Sequence, residues 1–102
     1  MCRLFHIDNL RQRLLCTYLG PGTEWLDHSN VIWDGIGNGC NKKIVKEPDK
    51  VNQTQLGEPI ILHGLKHETN LPLVHRSPEI ENKNLTRVLL KIDECAQDKE
   101  NV

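Results

Sequence analysis

Short apolar runs interrupted by turn-forming residues constrain this chain more than any other feature. Leu14 to Leu19, Val31 to Trp33, Lys43 to Lys46, Pro59 to His63, Leu71 to His75 and Thr86 to Asp93 are too short to be packed helices. They are rich in Val, Ile, Leu, Tyr and Trp, the composition of strands. Between them lie Gly20-Pro21-Gly22, Gly35 to Gly39, Glu47-Pro48-Asp49, Asn70 to Pro72 and Ser77 to Asn84, which supply the fixed or positive φ of chain reversals. The pattern predicts an all-β fold. Helix signals are limited to a single turn within Leu10 to Leu15 and a polar tail over Asp93 to Asn101. Pro21 followed by Gly22 suits a type II turn, which predicts positive φ at Gly22. Lys46 to Gly57 is the longest polar interval and reads as a mobile surface loop.

Length and composition set the scale. The 102 residues make one small β domain over residues 1–93 with a polar tail over 94–102. Only 37% of residues are apolar, which predicts a thin core under a half-buried sheet. A net charge of -1 provides no field for nucleic acid or an anionic membrane, and neither is expected as a partner. The four cysteines, Cys2, Cys16, Cys40 and Cys95, form no C-x-x-C pair and follow no apolar leader. Reduced thiols and a cytoplasmic location are the expectation.

The residues that carry chemistry lie at the two ends. His6-Ile7-Asp8 places a histidine and a carboxylate two apart, on one face of an extended segment, and His75 closes a distant apolar run. Two histidines and one carboxylate form a facial metal triad with open positions for other ligands. Arg87, Leu89 and Lys91 share one face of the last run, while Val88, Leu90 and Ile92 form a wholly apolar opposite face. That apolar face predicts self-association of the isolated chain.

Competing motifs are weaker. Gly35-Ile36-Gly37-Asn38-Gly39 lacks the Lys-Ser/Thr and the following helix of a phosphate loop, so it reads as a flexible turn. His63 and His67 have helical metal spacing, but Gly64 and the preceding strand oppose a helix there. Cys2 and His6 with Cys40 or Cys95 would make a zinc site without a C-x-x-C knuckle. Ser77 lacks a nucleophile elbow. Trp25 and Trp33 read as core or pocket wall.

The blocks Cys2-Arg3-Leu4-Phe5-His6-Ile7-Asp8, Arg13 to Leu26 with its Gly-Pro-Gly-Thr-Glu-Trp core, Val74-His75-Arg76-Ser77-Pro78, and Arg87 to Asp93 together resemble the C-terminal half of a bacterial family of unknown function, number 1826. The resemblance implies a larger family domain whose N-terminal half precedes the first block. It brings no activity with it. A looser resemblance, in the order of His6, Asp8, His75 and Arg87, is to the iron and 2-oxoglutarate dependent oxygenases. It implies a cupin-like double-stranded β-helix (jelly roll), incomplete at its N-terminus, with Fe(II) or another divalent metal such as Zn held by His6, Asp8 and His75. Arg87 would anchor the carboxylate of 2-oxoglutarate as the catalytic and cosubstrate-binding residue, with Tyr18 as a further cosubstrate-binding residue. The alternative is a non-catalytic metal-binding or protein-interaction β domain.

Overall fold

A computed structural model describes residues 3–94. The expected β-rich fold is present, with no α-helix among the described residues and none long and apolar enough to cross a membrane. The strands are β1 (Gln12–Leu19), β2 (Glu24–Trp25), β3 (Asn52–Gln53), β4 (Pro59–His63), β5 (His75–Arg76) and β6 (Val88–Glu94). They form two antiparallel three-stranded sheets, ordered β4-β1-β6 and β3-β2-β5.

The larger sheet follows the sequence pattern closely. β4 occupies the whole Pro59 to His63 run, with its proline at the first position, where an absent N–H is tolerated. β1 begins two residues before Leu14, so the expected helical turn over Leu10 to Leu15 is instead a bend followed by strand. On β6 the alternation places Arg87, Leu89 and Lys91 toward a cavity between the sheets and turns Val88, Leu90 and Ile92 outward. Leu14 pairs with both Ile61 and Ile92, so a row of aliphatic side chains crosses the outer face. Ile61 and Ile92 are each 54% exposed there.

The smaller sheet departs from the pattern. Val31 to Trp33 and Lys43 to Lys46 reduce to one bridge, Val31 with Val45, flanked by 3-10 turns at Trp33–Gly35 and Asn41–Lys43. Leu71 to His75 contributes only its last residue to a strand. The reason is a change of partner: the Leu73 N–H donates to His63 O at 2.9 Å, in the larger sheet, while Val74 O accepts from Leu26 N–H at 3.0 Å, beside the smaller one. A segment that crosses between sheets cannot form a continuous ladder with either. Phe5, Leu26, Val31, Ile44, Val45 and Val74 pack into the core beneath this region.

Two expectations about turns need correction. Gly22 does not have positive φ; the left-handed residue of that joint is Gly20, at φ +82°. Gly22 is needed for close approach, because a Cβ there would lie 2.0 Å from Thr54 O. Lys46 to Gly57 is not a structureless loop either. It contains a 3-10 turn at Pro48–Lys50 and the strand β3, and buried Asn30 holds it in place. The Asn30 amide donates to Glu47 O at 3.1 Å and Lys50 O at 3.2 Å, and its oxygen accepts from Glu47 N–H at 2.7 Å. Of the expected polar tail, Glu94 ends β6 and the rest lies outside the described residues.

Asn30→Ala would remove the partner of those part-buried backbone groups, and the expected cost is about 1–2 kcal/mol in denaturant unfolding. Amide exchange at Glu47 should accelerate together with that at Thr54, whose N–H donates to Thr23 O at 3.0 Å.

Candidate metal centre

His6 and His75 face each other as a hydrogen-bonded antiparallel pair. The His6 N–H donates to His75 O at 2.9 Å and the His75 N–H to His6 O at 3.0 Å. Residues opposite one another in such a pair project side chains to the same side of the ladder. The two rings accordingly lie 4.6 Å apart between centroids. On its other side His75 pairs with Trp25 of β2, which fixes it within the smaller sheet.

Asp8 completes the cluster. Its Oδ1 lies 3.5 Å from His6 Nε2 and 3.4 Å from His75 Nε2, and one ligand atom from each of the three residues lies within 4.8 Å of the others. Both separations are longer than an ordinary N–H···O hydrogen bond. They are close to the spacing of about 3 Å between ligands held at right angles about 2.0–2.2 Å from one ion. The position of Asp8 depends on Gly64. The Leu65 N–H donates to Asp8 O at 2.9 Å, and a Cβ on Gly64 would lie 2.1 Å from Leu10 O and 2.7 Å from Asp8 O.

The donor set suits a divalent cation. His6 Nδ1 contacts Leu4 O and His75 Nδ1 contacts Leu73 O, each at 3.0 Å, so each ring spends its Nδ1–H on the backbone and turns Nε2 toward Asp8. This is the outer-shell arrangement that fixes the tautomer of metal-ligating histidines. Asp8 Oδ2 is buried and accepts no hydrogen bond among the described residues, which leaves lone pairs that a cation held by this carboxylate could use. Burial alone would raise the Asp8 carboxyl, but His6, His75 and Arg13 outweigh it and hold the group well below the usual carboxylate range. The Asp8 carboxylate in turn raises the His6 imidazole above its ordinary value, against the opposing effect of burial.

A cavity of about 350 Å³ opens beside the cluster, with His6, His75, Thr23, Ser77, Arg87 and Lys91 among the residues of its wall. Arg87 enters it from the larger sheet. Its Nε–H donates to Pro21 O at 2.9 Å and its Nη2 to Thr23 Oγ1 at 2.8 Å and Thr17 Oγ1 at 3.4 Å. All three acceptors are neutral, and burial lowers the pKa of the guanidinium. No carboxylate pairs with it among the described residues. Tyr18 does not join this wall. Strand alternation points it away from Arg13 and Leu15, and it is 59% exposed.

Sequence reasoning missed the parts that depend on tertiary placement. Arg13 lies 3.2 Å from Asp8 Oδ1 through Nη1 and donates through Nε to Asp93 at 2.5 Å, joining the cluster to β6. The buried hydroxyls of Thr17 and Thr23 orient Arg87. Both belong to the Arg13 to Leu26 block, which is the one signal that could have drawn attention to them. His63 and His67 do come together, stacked 3.7 Å apart on a turn, but neither belongs to a cluster of three ligating residues. Cys2 and Cys95, two members of the alternative zinc set, lie outside the described residues.

Metal binding must displace the proton that Asp8 stabilises on His6. Affinity for a divalent cation should therefore fall as pH drops through the His6 titration and level off above it. In the metal-free protein the raised His6 pKa adds stability on the acid side of 6.5, and that contribution fades as pH rises through the folded-state value. An NMR titration of the imidazole with and without Zn(II) measures both. Gly64→Ala should displace Asp8 and weaken binding by at least about tenfold, within the range seen when the surroundings of metal ligands are disturbed.

The sequence profile of DUF1826, a family described as a protein of unknown function, matches residues 1–93, and the chain belongs to that family. No curated protein and no solved structure matches it. The looser likeness to the oxygenases has no counterpart in these comparisons.

Proposed function

We propose that this member of the DUF1826 family is a metal-dependent oxygenase-like domain of the Fe(II) and 2-oxoglutarate type. The observation that carries the reading is the convergence of two Nε2 atoms and one buried, half-unsatisfied carboxylate at the edge of a cationic cavity. In this reading His6, Asp8 and His75 hold the ion on one face and leave the opposite face open to the cavity. Bound iron would supply oxygen activation. The protein's own residues orient and charge-match the cosubstrate. Arg87, pre-aligned by Thr17, Thr23 and Pro21 O and lacking an acidic partner, suits a carboxylate about one strand away from the metal. The two sheets would be the facing walls of a cupin-like double-stranded β-helix, to which the described residues contribute six strands.

A non-catalytic metal-binding role is the second reading, favoured by the 51% exposure of the His6 side chain, which leaves one ligand in contact with water. Turnover separates the two. Anaerobically purified protein given Fe(II), oxygen, 2-oxoglutarate and ascorbate is expected to form succinate and carbon dioxide even without a primary substrate, with ascorbate supplying the two electrons and protons that reduce the second oxygen atom to water. His75→Ala should abolish this, and Arg87→Leu should raise the 2-oxoglutarate requirement by at least about tenfold while leaving metal affinity unchanged, the loss expected for one charge-assisted contact. Stoichiometric metal binding with no succinate under any of these conditions would favour the binding role.

A further inference from the structure

His6 stands between two cavities of opposite character. On one side is the cationic chamber with Arg87. On the other is a cleft of about 310 Å³ in which Leu4, Ile7, Ile36, Ile44 and Leu65 line the wall and His6 is the one titratable side chain among the described residues. Its volume is about twice that of a cavity of roughly 150 Å³ known to admit benzene.

Three details suggest that this cleft is built to be filled. Leu65 leaves 56% of its surface exposed, although its backbone is fixed by the hydrogen bond to Asp8 O. Gly37 and Gly39 form part of its lining in left-handed backbone, at φ +87° and +75°, and a Cβ on either would meet nothing within 4 Å, so this side of the cleft is open. The rim is also held in place, since the Asn38 amide donates to Asp34 O at 2.9 Å. Ile36, Gly37 and Gly39 of the Gly35 to Gly39 segment thus form one edge of an apolar cleft.

We propose that the cleft between Ile7, Leu65 and the Gly35 to Gly39 turn binds the hydrocarbon part of a small-molecule substrate, presenting it to the metal from the side of His6 opposite Arg87. The proposal rests on the oxygenase reading for its chemistry, but the binding step can be measured independently. An acid in the Arg87 chamber and an apolar group in the cleft would approach the ion along separate paths. This division follows from the linings: a cationic wall favours an acid, whereas an apolar wall favours a group released from water.

The test uses the full chain, labelled at Ile and Leu methyls and titrated with toluene. Saturable shifts are expected at Ile7, Ile36, Ile44 and Leu65, and not at Ile61 or Ile92 on the outer sheet face. Leu65→Glu, at an exposed position, should weaken toluene binding by about tenfold, and Leu65→Ser by about threefold, as apolar contact is lost. With Mn(II) added, the bound toluene protons should show metal-dependent relaxation. His75→Ala should remove that relaxation while leaving the toluene shifts intact. Shifts confined to the outer face, no saturation, or indifference to both Leu65 variants would overturn the proposal. Toluene shifts at the cleft without any metal effect in the unaltered protein would instead retain the apolar site and count against the metal reading.

Discussion

The reciprocal backbone pairing of His6 with His75 is the contact on which the rest of the site depends. It is formed by two ordinary amide hydrogen bonds between residues 69 positions apart, and it attaches the first described segment of the chain to the edge of the smaller sheet. The pairing does more than add stability. Because opposed residues in an antiparallel pair project to the same side, it brings two imidazoles together without help from side-chain packing. Once His6 is fixed, Asp8 needs only two further residues of extended chain to reach the same point, and the Gly64 turn holds it there. Ring orientation follows from the same local geometry, since each Nδ1 contacts the carbonyl two residues earlier in its own segment.

The larger sheet supplies the complementary half. Arg13 and Arg87 project from it into the space between the sheets and are satisfied in different ways. Arg13 is shared between Asp8 and its cross-strand partner Asp93, so it belongs to a network of compensated charge. Arg87 is fixed by hydroxyls and a carbonyl, which orient a guanidinium without neutralising it. One arginine therefore stiffens the His6, Asp8 and His75 cluster, while the other has no acidic partner among the described residues. The sheet-switching segment from Leu73 to Val74 bonds to both sheets and sets the distance between these halves.

How much of this was legible follows from which interactions are local. The parity of His6 and Asp8, the inward face of Arg87, Leu89 and Lys91, and the limits of β4 all depend on the two-residue alternation of a strand, which a sequence displays directly. The shortening of the Leu71 to His75 run does not, because it depends on Leu73 bonding to His63 while Val74 bonds to Leu26. Gly22 is a similar case. Its neighbour Pro21 suggested a turn glycine, but what requires glycine is the approach of Thr54, which is 32 residues away and in another strand's connection. Thr17 and Thr23 looked like ordinary strand and turn residues because only Arg87, a distant part of the chain, gives them a role. Tyr18, which the oxygenase resemblance implied as a cosubstrate contact, is sent outward by strand alternation.

The proposed metal reading and a purely structural ion network differ in how the oxygens of Asp8 should be satisfied. In a structural network both carboxylate oxygens would be expected to find donors, since leaving one buried and unpaired costs about 1–3 kcal/mol or more. Here His6, His75 and Arg13 all approach Oδ1, while Oδ2 is buried without a hydrogen-bond partner among the described residues. The histidines stand slightly too far away for good hydrogen bonds and close to the right distance for a shared ion. Across the same cavity Arg87 presents the converse, a half-buried cation that meets only neutral groups. Among the described residues the Asp8 carboxylate, although paired with Arg13, keeps one oxygen without a donor, and Arg87 lines the cavity beside the cluster without an acidic partner. On the proposed reading, a metal at Asp8 and an acid reaching from it to Arg87 would satisfy both.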